Sequence, residues 1–305
     1  MANLGLSFIS PASQVAPDFF LQLAKKVEEA SLSSFWINDR IAYDNFEPLA
    51  ALAATAGATH RIKLGTSILL LPLRRPVLLA KTLATIDHIA KGRLTLGVAV
   101  GNRSEDYEAV GVPFDRRGAR GLEAIQLMRR LWREECVTFE GKFFRVHEVA
   151  LGPKPHANRS IPIWMGGGAE AVLRRTARFA EGYICSTSSL PNFPAIWEKI
   201  STYAKAFGRD PTQIEKAGLN YLAIDVDRGR AVAACKMFFD RYYGKAPPNI
   251  ESHMIVGPPS LCAERISSLF EQQLSTLILG LIVPDLKQVD LLATEVLPRL
   301  QGLTE

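Results

Sequence analysis

Short apolar segments alternate along the chain with longer segments in which apolar residues recur every three or four positions. The short segments are typical of buried β-strands, and the longer ones are typical of helices with one apolar face. This pattern predicts strands over residues 4–9, 35–38, 62–71, 94–100, 161–165, 183–185, 217–226 and 276–283. It predicts helices over residues 18–30, 48–58, 76–90, 119–134, 169–180, 194–207, 228–242, 260–273 and 286–300.

Regular alternation of strand and helix predicts a parallel sheet that is covered on both faces. Eight such units favour an α/β fold, the closed (β/α)8 TIM barrel, and the alternative is an open Rossmann-like sheet with an appendage. The segment 137–146 alternates like a hairpin. Irregular stretches at 101–118, 147–160 and 243–258 are interpreted as insertions between the regular elements. No linker or internal repeat interrupts the pattern, so residues 1–305 are expected to form one TIM-barrel domain.

The charge balance is mild, because 36 Lys and Arg against 31 Asp and Glu give a net charge of +5. The basic residues are dispersed, which argues against a nucleic-acid surface. Apolar runs are too short to span a bilayer, and the amino terminus lacks the pattern of a secretory signal. The four cysteines have neither CxxC nor zinc spacing, which indicates free thiols. We therefore expect a cytoplasmic protein that binds neither nucleic acid nor membrane.

Motifs of self-contained catalytic machinery are missing from the sequence. It contains no HExxH, GxSxG or GxxxxGK[ST] segment, and the glycines at 97 and 101 do not form the dinucleotide fingerprint. The five histidines show no metal-ligand spacing, so no metal site is expected.

The predicted barrel directs attention to the carboxyl ends of its strands, where TIM barrels carry their active sites. Six strand ends supply residues that could contact a ligand. These residues are Ser7, Phe8, Asn38, Asp39, Arg40, Ser67, Ile68, Gly101, Asn102, Gly166, Gly167, Gly168, Ser186 and Thr187.

Three consecutive glycines, Gly166, Gly167 and Gly168, stand between a predicted strand and a predicted helix. Glycine lets the backbone approach a ligand closely, and the N–H groups at a helix start favour an anion. The glycines therefore predict either a phosphate cradle or a tight turn that needs positive φ. Asp39 and Arg40 would either orient or protonate a ligand, or form an ion pair that braces their loop.

An ordered set of motifs resembles the bacterial luciferase-like flavin oxidoreductases over residues 4–300. The set comprises Asp39-Arg40, LGTSI at 64–68, PLRRP at 72–76, KGR at 91–93, YEAVGVPF at 107–114, TFEG at 138–141, PKP at 153–155 and PIWMGG at 162–167. The resemblance implies an enzyme that uses a reduced flavin-type cofactor on an organic small molecule. The deazaflavin F420 is preferred over FMN as the expected cofactor, with hydride transfer for F420 and monooxygenation for FMN.

The resemblance also implies roles for individual residues. Ser67 and Ile68 match a cis peptide that faces the flavin ring, and Asp39 matches a pocket residue near that ring. The glycines match a phosphate-contacting turn, and the strand end at 101–102 matches a pocket wall. With the strand-end rule, the expected cofactor-binding residues are Ser7, Phe8, Asp39, Ser67, Ile68, Gly101, Asn102, Gly166, Gly167 and Gly168.

Two positions depart from the sugar-phosphate dehydrogenases of the F420 branch. Those enzymes have histidine where this chain has Arg40, and glutamate where it has Asn102. Neither replacement can act as the same acid–base pair, because arginine stays protonated and asparagine does not titrate. Asp39, Arg40 and Asn102 remain the candidate catalytic residues, but a sugar phosphate is not the expected substrate.

A non-catalytic barrel that binds or carries a flavin is the alternative function. A metal-dependent TIM-barrel hydrolase is a third, and the lack of His and Asp ligands at the strand ends argues against it. The helices at 48–58 and 77–90 carry more apolar residues than an outer helix of a barrel needs, which predicts a homodimer. Denser packing within one chain is the alternative. The residues concerned are Ala50, Leu52, Ala53, Ala54, Leu78, Leu79, Leu83 and Ile86.

Overall fold

The computed structural model describes residues 3–300. Its strands are β1 (Asn3–Phe8), β2 (Ser34–Ile37), β3 (Lys63–Thr66), β4 (Leu69–Leu70), β5 (Leu94–Ala99), β6 (Val137–Glu140), β7 (Arg145–Val149), β8 (Ile163–Gly166), β9 (Gly182–Cys185), β10 (Glu215–Ile224), β11 (Ile255–Gly257) and β12 (Thr276–Leu281). Its α-helices are α1 (Phe19–Glu29), α2 (Pro48–Ala58), α3 (Pro76–Ile89), α4 (Ser104–Glu108), α5 (Arg117–Arg133), α6 (Glu170–Phe179), α7 (Phe193–Ala206), α8 (Arg228–Tyr243), α9 (Pro259–Glu271) and α10 (Lys287–Leu291).

Eight parallel strands close into a barrel. The order around it is β1, β2, β3, β5, β8, β9, β10 and β12, and β12 pairs again with β1. The predicted (β/α)8 barrel is therefore confirmed, and the alternative of an open sheet is wrong. The hairpin of β6 and β7 forms a separate two-stranded sheet outside the barrel.

Three segments differ from the pattern-based expectation. The strand predicted at 62–71 is divided into β3 and β4 by the pair Ser67-Ile68, whose peptide bond is cis. The stretch at 243–258 contains β11, which pairs with β10 but is too short for a period-two pattern to show. The last predicted helix changes type after α10, becoming a π-helical turn over Leu292–Val296 and a 3-10 turn over Leu297–Leu300.

Local sequence signals explain several helix starts. Pro48 and Pro76 occupy the first turn of α2 and α3, where a missing N–H costs no hydrogen bond. The carboxylate of Glu47 accepts a hydrogen bond from the Ala50 N–H at 2.8 Å. Asp227 caps α8 in the same way.

The barrel interior holds a small aromatic cluster beneath the mouth. The rings of Trp36 and Trp164 lie 5.4 Å apart, and Ile68 packs against the cluster from above. Gly65 leaves the room that Trp36 needs, because a Cβ at this position would lie 2.3 Å from the indole. The larger apolar core lies between the barrel and its helices.

Asp87 fastens the amino end of the barrel, opposite the strand ends expected to carry the site. Its Oδ1 accepts hydrogen bonds from the Leu94 N–H at 3.3 Å and from Arg159 Nη2 at 2.6 Å. Its Oδ2 accepts from the His156 N–H at 3.0 Å. Leu94 begins β5, so this carboxylate joins α3, β5 and the segment that precedes β8.

Helices α2 and α3 bury more apolar surface than the sequence suggests. Leu52, Leu79, Leu83 and Ile86 are each 3% exposed or less within a single chain. Packing within the chain therefore accounts for these four residues. Leu78 remains 67% exposed.

None of the helices formed by residues 3–300 is long and apolar enough to cross a membrane.

Candidate active site

The carboxyl ends of β1, β3 and β8 meet at one mouth of the barrel. The hydroxyls of Ser7 and Ser67 are hydrogen-bonded at 2.8 Å. A Cβ built on Gly166 would lie 3.3 Å from Cγ2 of Ile68. The structure thus brings together four of the residues that the strand-end rule nominated. Their small or apolar side chains leave a surface on which a planar ring could lie.

The glycine turn joins β8 to α6. Gly167 has φ of +124°, which favours glycine, so the tight-turn interpretation holds at this residue. Gly168 is not in that region, and a Cβ added to it would meet only Ser189 Oγ, at 3.7 Å, among residues 3–300. Within the same residues, the N–H groups of Gly168 and Ala169 donate no hydrogen bond. Free N–H groups at the start of a ten-residue helix can bind an anion.

Serine hydroxyls flank this turn from the next strand end. Ser186 Oγ lies 3.1 Å from Ser189 Oγ and 3.3 Å from Ser188 Oγ. The only acid in the first turn of α6, Glu170, is paired with Lys199 at 3.2 Å. The turn therefore combines backbone and hydroxyl donors, which is the chemistry that a phosphate requires.

Asp39 is fully buried and paired with Arg74. Its Oδ2 accepts from Arg74 Nη1 at 2.5 Å and from the Leu70 N–H at 2.8 Å, while Oδ1 accepts from Arg74 Nη2 at 3.1 Å. The expected ion pair between Asp39 and Arg40 is therefore wrong, because Arg74 takes the carboxylate. Burial raises the pKa of Asp39, and the Arg74 guanidinium opposes this effect. The carboxylate holds β4 next to Ser67 and Ile68.

Arg40 lies between tyrosine rings. Its guanidinium carbon is 4.7 Å from the ring centre of Tyr43 and 5.3 Å from that of Tyr242, and Nη1 donates to the Tyr242 carbonyl at 3.3 Å. The side chain is 9% exposed, and its weak ion pair with Glu105 spans 3.9 Å. These contacts brace the loop after β2 against α8. Arg40 is not among the residues that line the cavity described next.

A cavity of about 570 Å³ opens beside the glycine turn, at the ends of β9 and β10. Ser186 and Ser188 line it, and Ser186 is hydrogen-bonded to Ser189, whose Oγ is the nearest atom to a Cβ built on Gly168, so the cavity adjoins the glycine turn. Most of its walls are apolar or aromatic. The lining residues are Ser186, Thr187, Ser188, Pro191, Leu219, Tyr221, Phe239, Tyr243, Lys245, Pro247, Ile250, His253 and Met254.

The segment between α8 and β11 supplies one side of the cavity and is held through its backbone. Asn220 Nδ2 donates to the His253 carbonyl at 3.0 Å. Arg265 Nη1 donates to the Glu251 carbonyl at 2.6 Å and also to the Met254 carbonyl. None of these three acceptors is a side chain.

Comparison with known proteins identifies the fold and the family. The sequence model described as luciferase-like monooxygenase matches residues 6–276. The chain belongs to this family. The luciferase-like chain is 34% identical over 245 residues to the F420-dependent glucose-6-phosphate dehydrogenase of Kineococcus radiotolerans, which covers 75% of this chain and 71% of the relative.

Two further matches are reductases. The luciferase-like chain is 25% identical over 248 residues to the 5,10-methylenetetrahydromethanopterin reductase of Archaeoglobus fulgidus, covering 81% of this chain and 72% of the relative. The structure of the coenzyme F420-dependent tetrahydromethanopterin reductase of Methanopyrus kandleri superposes with a TM-score of 0.81. That match has 22% identity and covers 98% of this chain and 99% of the other, so it shows the shared fold.

Two nominated residues of the luciferase-like chain lie outside this arrangement. The ring of Phe8 packs against Phe20 at 5.5 Å and Phe46 at 5.8 Å in the layer between barrel and helices. Its side chain therefore faces away from the mouth, which corrects its expected role as a cofactor contact. Asn102 is exposed and makes no side-chain hydrogen bond within residues 3–300. Next to it, Gly101 has φ of +70° and its carbonyl accepts from Arg117 Nε at 3.1 Å.

The strand-end rule did not identify the aromatic residues that line the cavity of this luciferase-like protein. Tyr221 is on β10 and faces the barrel interior, as Leu219 and Ala217 do at spacings of two. The alternation of side chains along residues 217–226 would have indicated that this tyrosine faces the barrel interior. Phe239 and Tyr243 lie on α8, and no sequence signal shows which face of that helix turns toward the mouth.

Proposed function

We propose that this luciferase-like protein is an oxidoreductase that binds a reduced flavin-type cofactor, F420 in preference to FMN, and acts on an organic small molecule. The observation that carries the proposal is that the glycine turn, with its free N–H groups, adjoins the apolar cavity through the Ser186–Ser189 turn. The glycine turn and the barrel mouth would hold the phosphate and the reactive ring of a cofactor, and the adjoining cavity would hold a substrate. The name of the 34%-identical relative supports F420.

The residues at the mouth fit such a cofactor. Gly168, Ala169 and the hydroxyls of Ser186 and Ser189 would hold its phosphate. Ser7, Ser67, Ile68 and Gly166 would lie against its ring, and Asp39 would support them through Leu70. When bound, the cofactor supplies a hydride. The chain itself orients the reactants and excludes water with its apolar walls.

The substrate of this protein differs from that of the glucose-6-phosphate dehydrogenases. The cavity walls are formed mainly by Leu219, Phe239, Pro247, Ile250 and Met254, which do not match a sugar phosphate. Arg40 braces a loop, and Asn102 is an amide without acid–base capacity. These features support an apolar substrate.

Titration of the purified protein with F420 and FMN, oxidised and reduced, tests the proposal. We expect F420 to bind at least tenfold more tightly than FMN, and the reduced cofactor to be turned over by an apolar acceptor. Absence of binding by either cofactor would refute the proposal. Tight binding without turnover across a panel of acceptors would favour the carrier function instead.

We also propose that the protein acts as a homodimer through α2 and α3. Leu78 projects from α3 with 67% exposure, which leaves an apolar side chain for a second copy to cover. Light scattering at micromolar concentration should give twice the monomer mass, and Leu78→Lys should lower it towards one. Met237→Lys is the matched control, because Met237 is 68% exposed on α8. An equal mass for the Leu78 variant would place the interface elsewhere.

A cytoplasmic location is part of the proposal. Cys185, Cys235 and Cys262 are buried free thiols, and Cys136 is an exposed free thiol. Burial raises the pKa of Cys185 and Cys262 to about 12 and that of Cys235 to about 11, so these groups stay protonated. Unpaired thiols fit a reducing compartment.

A further inference from the structure

We propose that the cavity binds an uncharged, ring-bearing carbonyl compound, and that the Tyr243 hydroxyl donates a hydrogen bond to its carbonyl oxygen. The proposal rests on the proposed function only in so far as it calls this compound the substrate. Binding of the compound itself follows from the walls and from the hydroxyl pair described below.

The walls of the cavity suit a flat ring. Three aromatic side chains form one wall, with Tyr221 and Phe239 ring centres 5.1 Å apart at 84° and those of Phe239 and Tyr243 5.2 Å apart at 19°. Aliphatic side chains, including Ile250 and Met254, line the remainder. A ring would contact both surfaces and bury much of its apolar area.

The two phenol hydroxyls carry one more donor proton than the hydrogen bond between them uses. The oxygens of Tyr221 and Tyr243 are 2.5 Å apart, so one hydroxyl donates to the other. A pair of hydroxyls carries two protons, and this contact consumes one. Neither hydroxyl has another hydrogen-bond partner within residues 3–300. The remaining proton is free to be donated to a ligand, because both residues line the cavity.

Position decides which hydroxyl meets the ligand. Tyr221 is 7% exposed and sits deep on β10, while Tyr243 is the more exposed of the two. We therefore assign Tyr221 as donor to Tyr243, and Tyr243 as donor to the ligand. The Arg103 guanidinium, 5.4 Å from the Tyr243 ring centre, and the stacked Phe239 ring hold Tyr243 in place.

Both phenols are uncharged donors, which suits a neutral acceptor. Burial raises the pKa of Tyr243 and, more strongly, that of Tyr221, so both phenols remain protonated donors near neutral pH. Lys245 and His253 also line the cavity, but both are exposed. Water and salt screen the exposed ammonium of Lys245, so it adds little attraction for an anion. A carbonyl oxygen accepts a hydrogen bond without the desolvation that a carboxylate would require.

The test compares two probes of the same ring framework, 1-tetralone and tetralin, by titration calorimetry on the full chain. We expect the ratio of the tetralin Kd to the tetralone Kd to fall fivefold to tenfold in Tyr243→Phe, as for one lost hydrogen bond. The ratio should change less than twofold in Tyr221→Phe. Tyr203→Phe on α7, whose side chain does not line the cavity, should match the wild type. Circular dichroism confirms that each variant is folded.

An unchanged ratio in the double variant Tyr221→Phe/Tyr243→Phe would overturn the proposal. A fivefold to tenfold fall in the Kd ratio in Tyr221→Phe, with no such fall in Tyr243→Phe, would overturn the assignment of Tyr243 as the donor. The measurement uses no cofactor, so it separates this inference from the proposed function. Tetralone binding to a protein that binds neither F420 nor FMN would leave the inference standing and refute the function.

Discussion

Asp39→Ala is expected to lower the free energy of unfolding by about 3 kcal/mol and to weaken cofactor binding as well. Removal of the carboxylate leaves Arg74, which is 13% exposed at its side chain, without its main partner. It also frees the Leu70 N–H and releases β4 beside Ser67 and Ile68. Denaturant unfolding measures the first effect, and titration with F420 or FMN measures the second.

Asp87→Ala is the matched control for this variant. The Asp87 side chain is as buried as that of Asp39 and is also paired with an arginine, at 2.6 Å, but it lies at the amino end of the barrel. It should lose a similar free energy of unfolding and keep its cofactor affinity. If both variants lost affinity alike, general destabilisation would explain the result, and Asp39 would have no local part in holding the site.

Gly168→Val is expected to weaken cofactor binding at least tenfold, equivalent to about 1.4 kcal/mol, with the fold intact. The backbone of Gly168 suits any residue, and the nearest atom to an added Cβ is Ser189 Oγ at 3.7 Å. The branched side chain would cover the free N–H groups that start α6. Equilibrium dialysis with F420 and FMN gives the affinity, and circular dichroism checks the fold.

Gly57→Val controls for the change of residue type. Gly57 is exposed near the end of α2, and a Cβ added there meets no atom within 4 Å among the described residues. Its cofactor affinity should match that of the wild type. Undiminished affinity in a folded Gly168 variant would reduce the glycine turn to a structural connection.

The barrel could be predicted because its strands are apolar on both faces. Segments such as β5 and β12 are short, continuous and buried, and eight of them alternate with helices. The cis bond at 67–68 came with the family resemblance. The boundaries of β3 could not be predicted, since the same apolar run continues through β4.

The candidate site was predictable only in part. Residues fixed by backbone position, such as Ser67 and the glycines, were found from strand ends. Alternation along β1 distinguishes Ser7, which meets Ser67, from Phe8, whose ring faces the helices, but the strand-end rule took both. Side-chain partners could not be predicted in this way. Asp39 pairs with Arg74 and not with its neighbour Arg40, because of a tertiary geometry that no local sequence pattern indicates.

The wall-forming segment between α8 and β11 has a consequence for divergence within the family. Asn220 and Arg265 donate hydrogen bonds to its main-chain carbonyls. These bonds do not depend on which side chains the segment carries. Tyr243, Lys245, Pro247, Ile250, His253 and Met254 all come from this stretch and its edges. Substitutions here are expected to change substrate selectivity and to leave unchanged the ends of β1, β3 and β8, where we propose that the cofactor binds. Proteins with this scaffold can therefore acquire new substrates by point substitutions in the segment, without insertions or changes in the core.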